Sequence, residues 1–355
     1  MGAGSLSLTR PLLRWLQGDP AWVTLPLRQR VWLQWQARIG SLNARLSLPA
    51  NAPASMTDAV EAPVLVLGPW RSGTTVMHEL LAAATGLTTP RTWQCMNATT
   101  FTTLPSGQRA KALAARPMDG LEVGAQSPQE DEFALLTMGV ESAYRAFWMP
   151  HRLDELQPTL DPAHWLAHDA WLGCLEQFLI GVLHTTPQSR QPLLLKSPNH
   201  SFRLPAIQRR WPDTRVVWML RDGAAVAHSN LKMWRSMFQL HGLTAAVPGA
   251  LEVFIARALR RCAQNLDTAM AGPGRHAWAL VPQARLRDDA EAVVHEVHAR
   301  LSLPGSIDQV ALQTAIARTH VGREDRYITE LPDSMRSAVR EFDSAQRRAV
   351  NGSSG

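Results

Sequence analysis

Apolar residues along this chain recur at two periods. Val64-Leu65-Val66-Leu67 is an unbroken apolar run, the pattern of a strand buried on both faces, as in parallel sheets. Leu193–Leu195, Val216–Leu220 and Ala277–Val281 repeat that pattern. Between these runs the spacing lengthens to that of a helix. Val76, Met77, Leu80, Leu81 and Ala84 form one such stripe, and Leu166, Ala170, Leu175, Leu179 and Val182 another, from Asp161-Pro162 to about Leu183. A third helix over 251–270 is stopped by Gly272-Pro273-Gly274. Strands alternating with helices predict an α/β fold: a mainly parallel sheet with helices on both faces, interrupted by helical and irregular insertions.

The remaining stretches are less regular. Residues 1–60 read as a helical, Trp-rich segment in which Val31, Trp35, Ile39, Leu42 and Leu46 share a stripe. Arg28, Arg30, Arg38 and Arg45 lie among its polar positions. Packing of the stripe on the domain is the expectation, and contact with a membrane surface is the alternative. Asn51-Ala-Pro-Ala-Ser55 reads as a connector, and 87–125, rich in Thr, Pro and Gly, as a long irregular insertion of functional importance. Ser127-Pro128-Gln129-Glu130 predicts a helix start, with Ser127 as cap, Pro128 in the first position and Glu130 completing a capping box. Asp131 and Glu132 extend the acidic run beyond what capping needs. Residues 341–355 turn polar and are expected to form a frayed tail. Nothing supports an internal boundary, so 1–355 is read as a single domain.

Composition narrows the function classes. The chain has 355 residues, 45 % hydrophobic and 19 % charged, as a folded protein does. A net charge of +6 suits an anionic ligand, but the basic residues are scattered, which argues against nucleic acid. Cys95, Cys174 and Cys262 form neither a disulfide framework nor a zinc pattern. His295 and His298 lack zinc-ligand spacing, and no metal site is expected. With no signal-peptide pattern and no run of eighteen apolar residues, the cytoplasm is the expected compartment.

The first strand runs into Gly68-Pro-Trp-Arg-Ser-Gly-Thr-Thr75. Gly68 and Gly73 are spaced as in a Walker A loop, and strand, glycine-bounded loop and helix N-terminus make an anion cradle. The fold is therefore P-loop-type. Thr74 stands at the position of the Walker lysine, which argues against nucleoside triphosphate hydrolysis. The strongest cation is instead Arg71, inside the loop.

Two later strands also end in polar residues: Leu193-Leu-Leu-Lys-Ser-Pro-Asn-His200, and Val216-Val-Trp-Met-Leu-Arg221, with Ser229 eight positions on. Strand C-termini are where open α/β sheets bind ligands. Together these three stretches resemble the sulfotransferases that use 3′-phosphoadenosine 5′-phosphosulfate (PAPS). Lys196 to His200 and Ser127-Pro-Gln-Glu-Asp-Glu132 are similar to a bacterial branch of that family. The resemblance implies that Arg71, Ser72, Gly73, Thr74 and Thr75 hold the 5′-phosphosulfate, and that Arg221 and Ser229 hold the 3′-phosphate. Arg71, with the N–H groups around Gly73 to Thr75, is the first catalytic candidate, placed to meet the charge that grows on the bridging oxygen as sulfur is transferred, and the resemblance implies a sulfonate-contacting role for Lys196 as the second. The activity it implies is transfer of a sulfonate group to a hydroxyl or amine of a small-molecule, lipid or glycan acceptor. The insertion at 87–125 would wall the acceptor pocket.

Three positions depart from the family pattern. Gln94 stands where related sulfotransferases often carry a glutamate, Gly223 where proline is usual, and Gln283–Leu286 where a tyrosine and acids are common. His200, whose ordinary pKa is about 6.5, is the expected general base, ahead of its rivals Asp131 and Glu132, with Glu130 discounted as a cap. A nucleoside or sugar kinase and a catalytically dead PAPS-binding module are the alternatives. The acceptor and the oligomeric state are not legible.

Overall fold

The computed structural model describes residues 10–47, 60–103, 114–115, 122–186, 189–319 and 330–353, with the backbone alone for 39–47. The strands are β1 (Val64–Leu67), β2 (Ala114–Ala115), β3 (Glu122–Val123), β4 (Leu194–Lys196), β5 (Arg215–Leu220) and β6 (Trp278–Pro282). β4, β1, β5 and β6 form one parallel sheet in that order, with Val66 opposite Lys196, Leu67 opposite Trp218 and Trp218 opposite Leu280. β2 and β3 make a small antiparallel pair within the 87–125 insertion. Because all four main strands run the same way, the loops after Leu67, Lys196, Leu220 and Pro282 gather at one edge.

Side chains alternate across a strand, so β1 sends Val64 and Val66 to one face and Leu65 and Leu67 to the other. On the first face they meet α3 (Thr74–Thr85), α12 (Ala290–Arg300) and α13 (Gln309–Arg318) through Met77, Leu80, Val294 and Leu312. The second face packs α7 (Ala170–Thr185), α8 (His200–Arg210), α9 (Gly223–His241), α10 (Ala250–Ala271) and α14 (Asp333–Ser353). This is the three-layer arrangement that near-continuous apolar strands require. Shorter helices are α4 (Thr92–Met96), α5 (Glu132–Met138), α6 (Pro162–Ala167) and α11 (Gln283–Asp288).

The structure departs from the expected elements in three places. The single helix from Asp161 is two, α6 and α7, broken at His168 and Asp169. Asp161 caps the first by accepting from the Ala163 amide, and Arg209 bonds the Leu166 carbonyl and Asp169 at the break. The expected tail at 341–355 is helix as far as Ser353, because Phe342, Ala345 and Ala349 are buried against the core. At the N-terminus, α1 (Arg10–Gln17) and α2 (Leu27–Ser47) pair around Leu12, Leu16, Leu33 and Ala37. Val31 and Trp35, expected to pack on the domain, are 54 % and 60 % exposed. The buried face of α2 is the one bearing Leu33 and Ala37, a third of a turn or more away. The connector at 51–55 lies outside the described residues, as do the side chains of Ile39, Leu42 and Leu46.

Candidate functional site

The loop between β1 and α3 is held in a conformation that few sequences tolerate. Gly68 and Gly73 have φ of 138° and 98°, and a Cβ at Gly68 would lie 2.6 Å from the Ser72 hydroxyl. Arg71 itself adopts φ 70°, uncommon for a residue with a side chain. Such strain persists only where the surroundings over-determine it. Here Trp70 is locked among Phe202, Trp234 and Phe254, and Asn230 donates to the Trp70 carbonyl at 2.7 Å. Ser201 Oγ accepts from the Gly68 amide and donates to the Gly68 carbonyl. The amides of the first turn of α3 have no intrahelical acceptor and lie next to this fixed loop.

Two groups of side chains flank the loop. On one side Arg71 Nε donates to Ser229 Oγ at 3.1 Å, and Arg221 Nη1 donates to the Arg71 carbonyl at 2.6 Å. Arg71, Arg221 and Ser229, drawn from three segments, thus form one contiguous group. On the other side Lys196 Nζ, at the end of β4, lies 3.4 Å from Thr75 Oγ1 and 2.6 Å from Glu130 Oε1. A lysine of the neighbouring strand thus stands beside the loop, where position 74 itself is threonine. Tyr144 donates to the other Glu130 oxygen at 2.9 Å, and its ring stacks on Phe147 and lies beside Phe133.

The acidic run is docked residue by residue onto the segment after β4. Glu130 meets Lys196, Asp131 accepts or shares a proton with His200 Nε2 at 2.8 Å, and Glu132 is bidentate with Arg203. Asp131, Glu132, His200 and Arg203 have no solvent exposure. Arg203 also stacks over Trp165 at 4.2 Å and donates to the Glu141 carbonyl. Since an unpaired buried charge is expensive, each acid needs its partner.

The profile of the sulfotransferase family matches residues 63–307, which is most of the chain and contains every group just described. The chain belongs to the sulfotransferase family. It is 28 % identical, over 192 residues, to the omega-hydroxy-beta-dihydromenaquinone-9 sulfotransferase Stf3 of Mycobacterium bovis and to that of Mycobacterium tuberculosis. The match takes in 53 % of this chain and 49 % of either relative, so the chain spans about half the length of the curated relatives it matches. Among solved structures, sulfotransferase STF9 from Mycobacterium avium superposes with a TM-score of 0.64 at 20 % identity, covering 99 % of this chain and 91 % of that one. Sulfotransferase STF1 from Mycobacterium tuberculosis gives 0.63 at 17 %, covering 94 % and 90 %. These two support the P-loop-type fold.

Within the sulfotransferase fold, one expectation about the acids is overturned. Ser127 and Glu130 form no capping box. α5 begins only at Glu132, Ser127 Oγ accepts from the Gly124 amide, and the Glu130 carboxylate is turned to Lys196 and Tyr144. The reason is energetic: leaving buried Lys196 without its acid would cost more than the roughly 1 kcal/mol of a cap. Glu130, discounted from the sequence, is the acid beside the loop. His200, Asp131 and Glu132 are enclosed with one another and Arg203.

Two residues, Arg203 and Gln346, were not singled out by sequence, and the three departures from the family pattern have structural partners. Arg203 follows His200 by three residues, which places both on the same side of α8, a signal visible only once the acids are known to dock there. Gln346 of α14 clamps Arg221 from both sides, accepting from its amide and donating to its carbonyl. Gly223 stands where related sulfotransferases usually carry proline. Its amide donates to Asp343, and a Cβ there would lie 2.9 Å from that carboxylate. The side chain of Gln283 lies over Gly73, 3.0 Å from where a Cβ would sit. Gln94 caps its own helix, accepting from the Arg91 amide and donating to Thr185.

Nearby titratable groups are tuned by burial. His78 accepts or donates at Thr89 Oγ1, 2.6 Å away, and its pKa is pushed well below the ordinary 6.5 by burial and then by Lys196 and Arg91. Burial and then the charge of Asp131 raise the Cys95 thiol, which suits a packed thiol rather than a nucleophile. Among the described residues no three His, Cys, Asp or Glu side chains are arranged to hold a metal ion, and no helix is long and apolar enough to cross a membrane.

Proposed function

We propose that the chain transfers a sulfonate group from PAPS to an acceptor hydroxyl, within a single domain and without a metal. The observation that carries this reading is the pair of groups flanking one strained loop: Arg71–Ser229–Arg221 on one side and Thr75–Lys196–Glu130 on the other. The first offers two guanidiniums and a hydroxyl to the 3′-phosphate. The second sets a cation, the α3 amides and a carboxylate around the position where sulfur would be transferred.

In this reading Lys196 and the amides of Gly73 to Thr75 meet the charge that grows on the bridging oxygen as the sulfur–oxygen bond to the phosphate breaks. The attacking acceptor oxygen forms the new bond to sulfur, and 3′-phosphoadenosine 5′-phosphate departs. Glu130 receives the acceptor proton. Its place beside Lys196 supports that role over His200, Asp131 and Glu132, which are fully enclosed. Tyr144 orients the carboxylate. Arg71, which bonds Ser229, serves nucleotide binding more than charge development.

The acceptor is read as a hydroxyl on a largely apolar molecule. Phe133, Tyr144 and Phe147 beside Glu130 support this, as does the acceptor named for the mycobacterial relatives. Three unpaired cysteines support the cytoplasm as the compartment. Incubation with PAPS labelled in the sulfonate, against pools of hydroxylated apolar acceptors, tests the reading. Release of 3′-phosphoadenosine 5′-phosphate together with a labelled acceptor is the expected result. Tight nucleotide binding with no transfer to any pool would mark a binding module, and turnover of a nucleoside triphosphate instead would mark a kinase.

A further inference from the structure

The N-terminal pair α1–α2 carries a surface that sulfonate transfer does not use. Successive residues of a helix are rotated by about 100°, which sets Leu27, Val31 and Trp35 in one row with Trp32 at its margin. All four are exposed, and Val23 just upstream is exposed too. Arg28 and Arg38 fall within the same sector and are also exposed. Beside the row, Gln34 and Arg38 of α2 face Arg10, Arg14 and Gln17 of α1 across a pocket of about 250 Å³. An apolar row flanked by a three-arginine pocket is the chemistry of a bilayer whose surface carries anionic headgroups: acyl chains for the row, phosphates for the pocket.

The charge distribution points to the same partner. Residues 1–60 hold six arginines and two acids, Asp19 and Asp58, which is most of the chain's net +6. Asp19 is buried and bonded to His151 and the Ala21 amide rather than to the arginines of this face. The face is also firmly seated. Arg152 donates to the Trp15 carbonyl and stacks over its ring, and Pro11 fills the space above Gly139. α1 packs on α5, the helix that begins directly after Glu130 and Asp131.

We infer that this face docks the protein on an anionic membrane surface, with Leu27, Val31 and Trp35 inserted at the headgroup boundary and Arg10, Arg14 and Arg38 holding lipid phosphates. Docking would deliver an acceptor dissolved in the bilayer to the side of the molecule that carries the Glu130 loop. The contact needs no donor nucleotide, so its outcome is separable from the transfer reading.

The test is sedimentation of the full chain with phosphatidylcholine vesicles, with and without phosphatidylglycerol. Binding is expected only with the anionic lipid and is expected to weaken as salt rises. Arg14→Gln and Arg38→Gln should each lower the partition about fivefold, near what one basic residue contributes at such a surface. Trp35→Ala and the near-isosteric Val31→Thr should weaken it as well, with affinity for 3′-phosphoadenosine 5′-phosphate unchanged in all four as the check on folding. The inference is overturned if the chain ignores anionic vesicles, binds neutral ones equally, or binds undiminished in the four variants. It is equally overturned if Trp35→Ala instead dissolves a dimer and leaves vesicle binding intact, since the face would then be covered by a second copy.

Discussion

The two groups flanking the loop after β1 use the same residue types to opposite ends. Around Lys196, His200 and Arg203 every cation has its own acid, and most of the side chains are sealed from water. Around Arg71 and Arg221, both half-buried, the guanidiniums meet a serine hydroxyl and a backbone carbonyl. Matched, enclosed pairs fix a shape: they dock residues 130–132 on the end of β4 and the start of α8 and set where Glu130 points. In the proposed reading this half-open edge, with Arg71 and Arg221, is where an anion is held. Burial and exposure, rather than residue type, separate the scaffold from the proposed binding surface.

The largest expected effect lies on the scaffold side. Arg203→Leu would leave Glu132 buried without its partner, and a loss of about 3–5 kcal/mol is expected in denaturant unfolding. Glu132→Gln keeps a hydrogen-bonding group against Arg203 and should cost less. If Arg203→Leu unfolds at the wild-type midpoint, the enclosed pairs are not what holds the 130–132 segment.

On the other side, Arg221→Ala and Ser229→Ala should leave the unfolding midpoint nearly unchanged. Each is expected to weaken binding of 3′-phosphoadenosine 5′-phosphate by about 1.5–3 kcal/mol, the usual contribution of a hydrogen bond to a charged group. Arg71→Ala should behave alike, losing affinity rather than turnover. The contrast sharpens with the 3′-dephospho nucleotide, whose binding the variants should barely alter. Variants that keep the full preference for the 3′-phosphate would break the assignment.

The smallest effect is a pH dependence. His78 is held neutral in the fold, with its pKa well below the 6.5 it has when exposed. Below about pH 6.5 the unfolded chain takes up a proton that the native chain refuses, so stability falls with acid. The slope is at most about 1.4 kcal/mol per pH unit, until the folded value is reached. His228 and His241, also lowered chiefly by burial, act in the same direction. Urea midpoints at neutral and mildly acidic pH should converge in His78→Gln relative to wild type.

The loop and the sheet were legible because their chemistry is local. Four apolar residues in a row and two glycines five apart state a buried strand and a turn without reference to the rest of the chain. The Arg221–Ser229 spacing is likewise a strand end and the helix that follows it. The Glu130 segment was misread for the opposite reason. Ser-Pro-x-Glu satisfies every local rule for a helix start, and Lys196, 66 residues away, overrides it together with Tyr144. Gly223 is explained by Asp343 and Val339 across 120 residues or nearly so, and Gln346 clamps Arg221 over 125. The N-terminal stripe had the correct period, but periodicity does not say which side of a helix finds a neighbour.

The central claim is that Glu130 takes the acceptor proton while His200 serves only to hold Asp131. Single-turnover transfer, with saturating PAPS and an acceptor identified by the labelling screen, tests it in Glu130→Gln and His200→Gln. Glu130→Gln should slow the chemical step by about 10²–10⁴-fold, the range for loss of a general base, and flatten its dependence on pH. His200→Gln should stay within about tenfold of wild type, since the amide can still bond Asp131 and the base is untouched. A near-normal rate in Glu130→Gln beside a collapse in His200→Gln would contradict the account and return the role to the histidine.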